Sequence, residues 1–335
     1  MDETAFHFVF ADRFDPSAIA RAEQVGRVTA LDESDPGALR CALRDADALL
    51  VRTSTAVTRE LIAGAPKLRV VGRGGVGLDH LDLVAAAERG ITVVHTPVAA
   101  TESVADLTLA LFLSLVRDLP ASDRAARGER YRAFRSAQRV CELHELTVGI
   151  VGMGRIGRAV ARRCRGGFGC RVIYHDIIDV GWLDVPAEAV TLDTLVHTAD
   201  VVSLHVPLTP RTRRMIDAEA LSRFKHDALL INTSRGAVVD GVALAHALGE
   251  RRLAGAALDV QEEEPLPEGH PLLSAPNCIL TPHVGARSVL ALARMNDVVD
   301  DVVRVLRGQR PAFPYEPPYE PPSPDGERAI RRVDR

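Results

Sequence analysis

A glycine-rich turn between an apolar run and a helical stretch constrains the fold of this chain more than any other feature. It directly follows the strand-like run Thr147–Val151 and reads Gly152-Met153-Gly154-Arg155-Ile156-Gly157. Glycines at this spacing permit a tight turn, close approach of the backbone to a ligand, and close packing of helix against strand. Because the first turn of a helix has unpaired amides and a partial positive charge, the pattern predicts a pyrophosphate site.

An acidic residue lies where a dinucleotide site needs one. The next predicted strand, Arg171–His175, is followed by Asp176, nineteen residues after Gly157. An acid about 20 residues past such a turn accepts hydrogen bonds from the adenosine ribose. Strand, turn, helix and acid in this order argue against a glycine-rich turn without a ligand. Because a carboxylate repels a 2′-phosphate and Ile177 and Ile178 supply no positive charge, the pattern predicts NAD in preference to NADP.

Short apolar runs alternate with helical stretches along most of the chain, which is typical of parallel sheets with helices on both faces. The predicted strands before residue 97 are Phe6–Phe10, Ala48–Val51, Arg69–Val71 and Thr92–Val94. The predicted helices between them are Pro16–Val25, Pro36–Ala46, Thr58–Ala63 and Leu81–Arg89. A second series of predicted strands comprises Thr147–Val151, Arg171–His175, Val201–His205, Leu229–Asn232, Gly255–Leu258 and Cys278–Leu280, and a last helix is predicted over Val289–Leu306.

A long helix is predicted between the two series of strands. It starts near Thr101, with Ser103 and Asp106 at capping-box spacing, and ends before Pro120. Its apolar run Leu107–Val116 is about half the roughly 20 residues that a membrane span needs. We therefore interpret it as a buried helix and predict no membrane association.

The chain ends in a proline-rich segment. Seven of the twenty prolines fall between Pro311 and Pro324, around a doubled Tyr-Glu-Pro-Pro. A segment of this composition buries too little apolar surface to order itself, so residues 309–335 are predicted to be a disordered or extended tail. A polyproline recognition motif is an alternative for the same residues.

Composition excludes several functional classes. The 41 Lys+Arg and 45 Asp+Glu give a net charge of −4, which argues against a nucleic-acid-binding surface. Five cysteines without a CxxC or Cys/His ligand spacing predict neither a disulfide framework nor a metal site. The first residues are acidic where a secretory signal is positively charged. Together these features predict a cytoplasmic protein.

Three polar residues after predicted strands fit the needs of a hydride-transfer enzyme. Arg235 follows Leu229–Asn232, Glu264 lies after Gly255–Leu258, and His283 follows the last predicted strand. Such an enzyme needs a proton donor of near-neutral pKa, a cation for the substrate and a group that tunes the base. Because ligands bind at the carboxyl ends of parallel strands, we expect the three side chains at one edge. A surface histidine and solvated glutamates are the alternative interpretation.

With these residues in place, the chain resembles the D-isomer-specific 2-hydroxyacid dehydrogenase family from about Ala46 to Leu306. It is most similar to phosphoglycerate dehydrogenase-like members, through Arg52-Thr53, Val70–Asp79 and Thr101–Asp106. The resemblance implies two doubly wound parallel-sheet α/β domains. A Rossmann NAD-binding domain of residues 98–287 would be inserted into a flavodoxin-like substrate domain of residues 1–97 and 288–308.

The resemblance also implies roles for individual residues. His283 would take the hydroxyl proton in oxidation and return it in reduction, and Glu264 would hydrogen-bond the imidazole and stabilise its cation. Arg235 would hold the substrate carboxylate in forked geometry and polarise the carbonyl. Besides the turn and Asp176, the implied NAD contacts are His205, Pro207, Thr233, Ser234, Asp259, Gly285 and Ala286. The implied substrate contacts are Arg52, Thr53, Gly75, Val76 and Gly77, together with Arg235 and His283.

The implied activity is NAD-dependent hydride transfer between NAD(H) and a small 2-hydroxy or 2-keto acid. Candidate substrates are 3-phosphoglycerate, hydroxypyruvate with glyoxylate, and D-lactate-like acids. Two residues argue against 3-phosphoglycerate, since Ala100 and His95 stand where phosphoglycerate members often carry asparagine. One alternative is a formate or phosphite dehydrogenase, although formate enzymes lack the acid at position 264. The other is an NAD(H)-sensing, corepressor-like binding protein on the same scaffold. A homodimer is also implied, with residues 119–146 as an arm over the partner.

Overall fold

The structure is a computed structural model that describes residues 6–31 and 36–316. By their internal contacts these residues form two compact units. The first unit comprises the described residues up to Arg73, then His80–His95, and those from Val298 onwards. The second comprises Gly74–Asp79 and Thr96–Asp297. Each unit contains a parallel sheet with helices beside it, so the predicted fold class is confirmed.

The first unit has a five-stranded parallel sheet of order β2-β1-β3-β4-β5. The strands are β1 Phe6–Phe10, β2 Gly26–Ala30, β3 Ala48–Val51, β4 Val70–Arg73 and β5 Thr92–His95. The helices are α1 Pro16–Glu23, α2 Pro36–Leu43, α3 Arg59–Ala63 and α4 Leu83–Glu88. β3 and β4 are buried along their whole length, as expected of strands covered on both faces.

The second unit has a seven-stranded sheet of order β12-β11-β10-β9-β6-β7-β8. Its strands are β6 Thr147–Val151, β7 Arg171–His175, β8 Glu188–Ala189, β9 Val201–Leu204, β10 Leu229–Asn232, β11 Gly255–Leu258 and β12 Cys278–Leu280. Its helices are α5 Thr101–Val116, α6 Leu119–Arg127, α7 Tyr131–Ala137, α8 Arg155–Arg162, α9 Leu192–Thr198, α10 Ala218–Ser222, α11 Gly241–Gly249 and α12 Val289–Met295. A last helix, α13 Val298–Leu306, belongs to the first unit.

The order of the seven-stranded sheet determines where a ligand can bind. The chain runs outward from β6 through β7 to one side and then restarts at β9 on the other side. At such a switch point the loops after two adjacent strands diverge and leave a crevice at their carboxyl ends. The glycine-rich turn after β6 and His205 after β9 both lie at this crevice.

Both faces of this sheet are covered by apolar helix surfaces. α5 and α8 cover one face through residues that include Leu109, Phe112 and Val160. α9, α10 and α11 cover the other face. None of the described helices is both long and apolar enough to cross a membrane.

Four elements differ from the sequence predictions. The edge strands β2 and β8 were not predicted, because β2 is only partly buried and β8 has two residues, so neither gives an apolar run. The single helix predicted over residues 289–306 is two helices, since α12 ends with Asn296 as its C-cap and α13 starts at Val298. The predicted capping role of Ser103 is wrong. Ala100 is the N-cap of α5, no side chain caps that helix, and the Ser103 hydroxyl bonds elsewhere.

The start of the proline-rich segment also differs from the prediction of a disordered tail. Pro314 forms an antiparallel bridge with Val94 of β5, with a backbone hydrogen bond on either side. Main-chain pairing to a sheet orders a segment that has little apolar surface of its own. The rest of the predicted tail, residues 317–335, lies outside the described residues.

A buried carboxylate of α13 anchors this segment. Asp301 is 4% exposed and accepts hydrogen bonds at 2.8 Å from the amides of Ala312 and Phe313. We expect Asp301→Ala to lower the free energy of unfolding by about 2–4 kcal/mol, since two amides lose their acceptor. Urea denaturation measures the effect. The adjacent Asp300, half exposed and paired with Arg21, is the matched control, and Asp300→Ala should cost less than about 1 kcal/mol. Equal losses for the two variants would contradict the anchor.

Candidate active site

The glycine-rich turn has two crowded glycines and one that faces open space. Gly152 has a φ of +94°, and a Cβ there would come within 2.7 Å of the His205 carbonyl oxygen. A Cβ on Gly157 would come within 2.1 Å of the Gly152 carbonyl oxygen, so α8 packs directly against the turn. By contrast, a Cβ on Gly154 would meet no atom within 4 Å. Unpaired amides of the first turn of α8 beside this open space suit the pyrophosphate of NAD.

Asp176 connects the end of β7 to the turn. One carboxylate oxygen accepts the Met153 amide at 2.8 Å and the other accepts the Ile178 amide at 3.2 Å. Each oxygen has a second lone pair, so the carboxylate can still accept hydrogen bonds from a ribose. Ile177 is 81% exposed and brings no charge to this surface. The nearby Arg158 donates to main-chain carbonyls of residues 180 and 182 instead of pointing to Asp176.

His205 lies at the other side of the crevice. Its Nε2 is 2.9 Å from the Ser203 hydroxyl, and Ser203 itself is buried. Desolvation lowers the pKa of the His205 imidazole to about 3, so the ring is neutral at physiological pH. Two residues on, the carbonyl of Pro207 accepts the Thr212 hydroxyl at 2.7 Å.

This lowered pKa predicts an acid sensitivity with a definite sign. The unfolded chain binds a proton on His205 at its usual value of 6.5, but the folded chain does so only near 3. The contribution of the neutral His205 to the free energy of unfolding is therefore fully present above pH 6.5. It is lost progressively as the pH is lowered towards 3. An NMR titration should show the His205 imidazole neutral down to about pH 4. The variant His205→Asn should lose stability less steeply below pH 6.5. An imidazole that titrates near its usual value would contradict the prediction.

Arg235, after β10, lies against the backbone of a segment far away in sequence. Its Nε donates to Asp79 Oδ2 at 2.5 Å, and its Nη1 donates to the Ser234 carbonyl at 2.6 Å. A Cβ on Gly77 would fall 1.5 Å from Nη2. The absence of a side chain at Gly77 therefore provides the space that the guanidinium occupies. The structure thus brings together two residues, Arg235 and Gly77, that were predicted to contact the substrate.

The segment around Gly77 joins a small apolar cluster. Val76, Ile156 of α8 and Ala286 each pack against this cluster, whose buried members are Ala99, Ala100, Val104 and Met295. One residue earlier, the Gly75 carbonyl accepts the Thr96 amide at 3.0 Å. The predicted substrate contact Val76 therefore packs against the same cluster as two predicted cofactor contacts, Ile156 and Ala286.

His283 and Glu264 form a hydrogen-bonded pair. His283 Nδ1 is 2.8 Å from Glu264 Oε2, and the two side chains are 39% and 37% exposed. Burial acts to raise the pKa of Glu264, but the hydrogen bond and charge of His283, the Gln261 amide and the charge of Arg235 outweigh it and lower the pKa. Glu264 is thus ionised at neutral pH. With Nδ1 bonded to a carboxylate, Nε2 is the imidazole nitrogen that can exchange a proton with a substrate.

Asp259 fixes the loop that carries His283. Asp259 is 2% exposed. Its carboxylate accepts hydrogen bonds from the Thr281 hydroxyl at 2.6 Å, the Val284 amide at 2.9 Å and the Gly285 amide at 2.8 Å. The Asp259 main-chain carbonyl accepts the amide of His283, whose φ is +52°. These bonds hold a left-handed backbone conformation that is uncommon for residues other than glycine. The implied contact of Asp259 with NAD stays a prediction.

The remaining predicted contacts fall into two groups. Thr233 and Ser234 are buried, and their hydroxyls bond to Thr108 and Asn232 within the second unit. Arg52 and Thr53 follow β3 in the first unit. There the Arg52 amide donates to a carboxylate oxygen of Asp12, its guanidinium lies 5.6 Å from the ring centre of Phe14, and Thr53 is exposed. Their role as substrate contacts stays a prediction.

The structure adds residues for which the sequence predicted no role in the site. Asp79 lies within a motif of the resemblance, but its bond to Arg235 spans 156 residues of sequence and leaves no local signal. Ser103 and Thr108 of α5 bond to loops of the site, whereas the sequence pattern indicated a helix cap for Ser103 and no role for Thr108. Among residues 6–31 and 36–316, no group of three or more His, Cys, Asp or Glu side chains could hold a metal ion.

Comparison with known proteins shows similarity over most of the chain. Residues 109–285 match the family model described as D-isomer specific 2-hydroxyacid dehydrogenase, NAD binding domain. A glyoxylate reductase of Thermofilum pendens is 40% identical over 275 residues, which cover 80% of this chain and 81% of that enzyme. A D-3-phosphoglycerate dehydrogenase of Methanocaldococcus jannaschii is 39% identical over 310 residues, covering 89% of this chain but 57% of that longer enzyme.

A solved structure gives the same fold. The NADPH-dependent glyoxylate/hydroxypyruvate reductase of Sinorhizobium meliloti, in complex with NADP and malonate, superposes with a TM-score of 0.82 at 32% identity. The match covers 93% of this chain and 97% of that enzyme. A protein with the same architecture as this chain is therefore a reductase that uses NADPH.

Proposed function

Because this chain belongs to the D-isomer-specific 2-hydroxyacid dehydrogenase family, we propose that it interconverts a small D-2-hydroxy acid and its 2-keto acid with NAD(H). The observation that carries the proposal is the His283–Glu264 pair at one edge of the sheet, together with Arg235 against Gly77 at the same edge. The match along most of a glyoxylate reductase, with Ala100 and His95 in place of asparagine, favours glyoxylate and hydroxypyruvate over 3-phosphoglycerate as substrate.

Arg235 is the proposed carboxylate binder. Asp79 holds its Nε and the Ser234 carbonyl holds Nη1, so the guanidinium keeps one orientation without a substrate. Nη2, which lies beside the Gly77 backbone, can then donate to one carboxylate oxygen of the substrate. A charge-assisted bond from a pre-oriented guanidinium also draws electron density from the adjacent carbonyl. The same group therefore binds and activates the keto acid.

His283 is the proposed proton donor in reduction and proton acceptor in oxidation. NADH, held by the glycine-rich turn, Asp176 and neighbouring residues, supplies the hydride when it is bound. His283 donates the Nε2 proton to the carbonyl oxygen of the substrate, which becomes the hydroxyl. Ionised Glu264 at Nδ1 stabilises the imidazolium before the transfer and keeps the ring oriented. In oxidation the same proton returns to Nε2.

A panel of 2-keto acids tests the proposed function. The purified protein is mixed with NADH and glyoxylate, hydroxypyruvate, pyruvate or phosphohydroxypyruvate, and loss of NADH absorbance is followed. We expect turnover of at least one short keto acid and, where the product is chiral, oxidation of the D but not the L hydroxy acid in reverse. Retained NADH binding without turnover of any substrate would overturn the proposal and favour the nucleotide-sensing alternative.

Asp176 is the proposed determinant of cofactor choice. We expect kcat/KM to be higher with NADH than with NADPH, because an ionised carboxylate repels a 2′-phosphate. Asp176→Asn keeps an acceptor for the Met153 amide but removes the charge, and should shift the ratio towards NADPH by about tenfold or more. Asp179→Asn is the matched control, since Asp179 also bonds an amide of this loop. A wild-type preference for NADPH would refute the assignment.

Domain roles, assembly and location are further parts of the proposal. We assign cofactor binding to the second unit and the substrate-domain role to the first. A homodimer is supported by the helices α6 and α7, on which Leu119 and Tyr131 are 50% and 52% exposed. Sedimentation equilibrium tests the dimer. Five free cysteines support a reducing, cytoplasmic environment.

A further inference from the structure

The hydroxyl of Ser103 on α5 bonds to the loop that follows β12. Ser103 Oγ donates to the Gly285 carbonyl at 2.6 Å and accepts the Ser288 amide at 3.4 Å. Since Ala100 is the N-cap of α5, this hydroxyl does not serve the end of its own helix. Its strongest bond crosses to the loop that carries His283.

Gly285 is held on both sides by side chains. Its amide donates to Asp259 at 2.8 Å, and its carbonyl accepts from Ser103. A Cβ on Gly285 would lie 2.9 Å from Asp259 Oδ2 and 3.4 Å from Val104 Cγ2. Gly285, two residues after His283, is therefore held between the Asp259 carboxylate and the surface of α5.

A second hydroxyl of α5 reaches the loop that carries Arg235. Thr108 Oγ1 lies 2.9 Å from the Thr233 hydroxyl, and both residues are buried. Thr108 also bonds to the Val104 carbonyl within the helix, an ordinary contact for a helical threonine. The bond to Thr233 is additional, and it lies two residues before Arg235. One helix is thus bonded to both loops of the proposed site.

We propose that α5 sets the separation of the two catalytic loops, with Ser103 and Thr108 as positioning residues for His283 and Arg235. The proposal rests on the roles assigned to those two residues in the proposed function. The proposed proton donor His283 and the proposed carboxylate binder Arg235 must act on adjacent atoms of one small substrate. The distance between the two side chains is therefore critical. A displacement of about 1 Å far from the reacting atoms can cost about 100-fold in rate. Bonds from one rigid helix to both loops limit such displacement.

Ser103→Ala tests the contact with the His283 loop. We expect kcat for the preferred keto acid to fall about 5- to 20-fold, with KM changed by less than about threefold. Ser103→Thr keeps the hydroxyl and should restore kcat to within about twofold. Ser114→Ala, the same change further along α5, is the control and should leave kcat and KM at wild-type values. A kcat for Ser103→Ala within twofold of wild type would overturn the proposal.

Thr108→Val tests the contact with the Arg235 loop. This variant keeps the branched shape but loses the hydroxyl, and we expect its main effect to be a rise in KM of about 5- to 20-fold. Thr108→Ser should restore the wild-type KM. Identical kinetic changes in Thr108→Val and Ser103→Ala would contradict separate contacts to the two loops.

A measurement without substrate separates this proposal from the proposed function. In protein with isotope-labelled histidine, the NMR signals of the His283 imidazole should shift in Ser103→Ala and stay unchanged in Ser114→Ala. If the signals shift in Ser103→Ala but the wild-type protein turns over no keto acid, the proposed function is refuted and the contact of Ser103 with the His283 loop is supported. Unchanged signals alongside normal wild-type turnover would overturn the positioning role alone. If Ser103→Ala does not fold, Ser103→Cys, a near-isosteric weak donor, replaces it in both measurements.

Discussion

Replacing His283 by alanine should lower kcat for keto acid reduction by at least about 100-fold, while the dissociation constant for NADH should stay within about twofold of the wild-type value. The Nδ1 atom of this imidazole is bonded to Glu264, which leaves Nε2 as the nitrogen proposed to transfer the proton. The proposed cofactor contacts of the turn lie on other strands and are untouched by this change. Stopped-flow or steady-state kinetics measure kcat, and quenching of protein fluorescence by NADH measures binding.

His226→Ala is the control for the loss of a histidine as such. His226 is exposed and pairs only loosely with its neighbour Asp227, at 3.4 Å. Its removal should leave kcat unchanged. A His283→Ala enzyme that turns over at the wild-type rate would show that the proton comes from another group or from water.

Replacing Gly77 by alanine should raise KM for the keto acid by about 10- to 100-fold with little loss of stability. A methyl group at this position would lie 1.5 Å from Nη2 of Arg235, so the guanidinium must leave its place beside Asp79. The displaced atoms are the end of a flexible side chain, which can move at small cost to folding. The loss of a charge-assisted, oriented contact to the substrate carboxylate accounts for the expected change in affinity.

Gly249→Ala at the end of α11 is the matched control, because a Cβ there would meet nothing within 4 Å. Its KM and melting temperature should equal those of the wild type. If Gly77→Ala lowers the melting temperature sharply and leaves KM unchanged, the close approach matters for folding and not for substrate binding.

The sequence predicted the central strands because their own residues carry the signal. β6, β10 and β11 are short apolar runs with the predicted bounds, and each is buried on both faces. β2 escaped prediction because an edge strand with Arg27 and Thr29 needs no continuous apolar run. The break between α12 and α13 was not predicted either, because apolar residues continue at helical spacing from one helix into the next. The two helices are separated only at Asn296 and Asp297.

Candidate site residues that directly follow a strand could be predicted from the sequence. Contacts between residues far apart in sequence could not. Arg235, Glu264 and His283 each follow a predicted strand, so their place at one edge could be expected from topology. That Asp79 would orient Arg235, or that a hydroxyl of α5 would bond to Gly285, depends on pairs 156 and 182 residues apart. No periodicity or spacing reports such pairs, because they are set by how whole elements pack.

The outer edge of β5 is covered by the chain itself, and we expect this cover to limit aggregation. An edge strand exposes main-chain groups that can pair with the same strand of another molecule. The described residues 312–315 already occupy this edge in antiparallel fashion, and Pro314, opposite Val94, has no amide to offer a further strand. Proteolytic cleavage near Arg310 would remove that cover. The cleaved protein would then be expected to precipitate at concentrations where the intact chain stays dispersed.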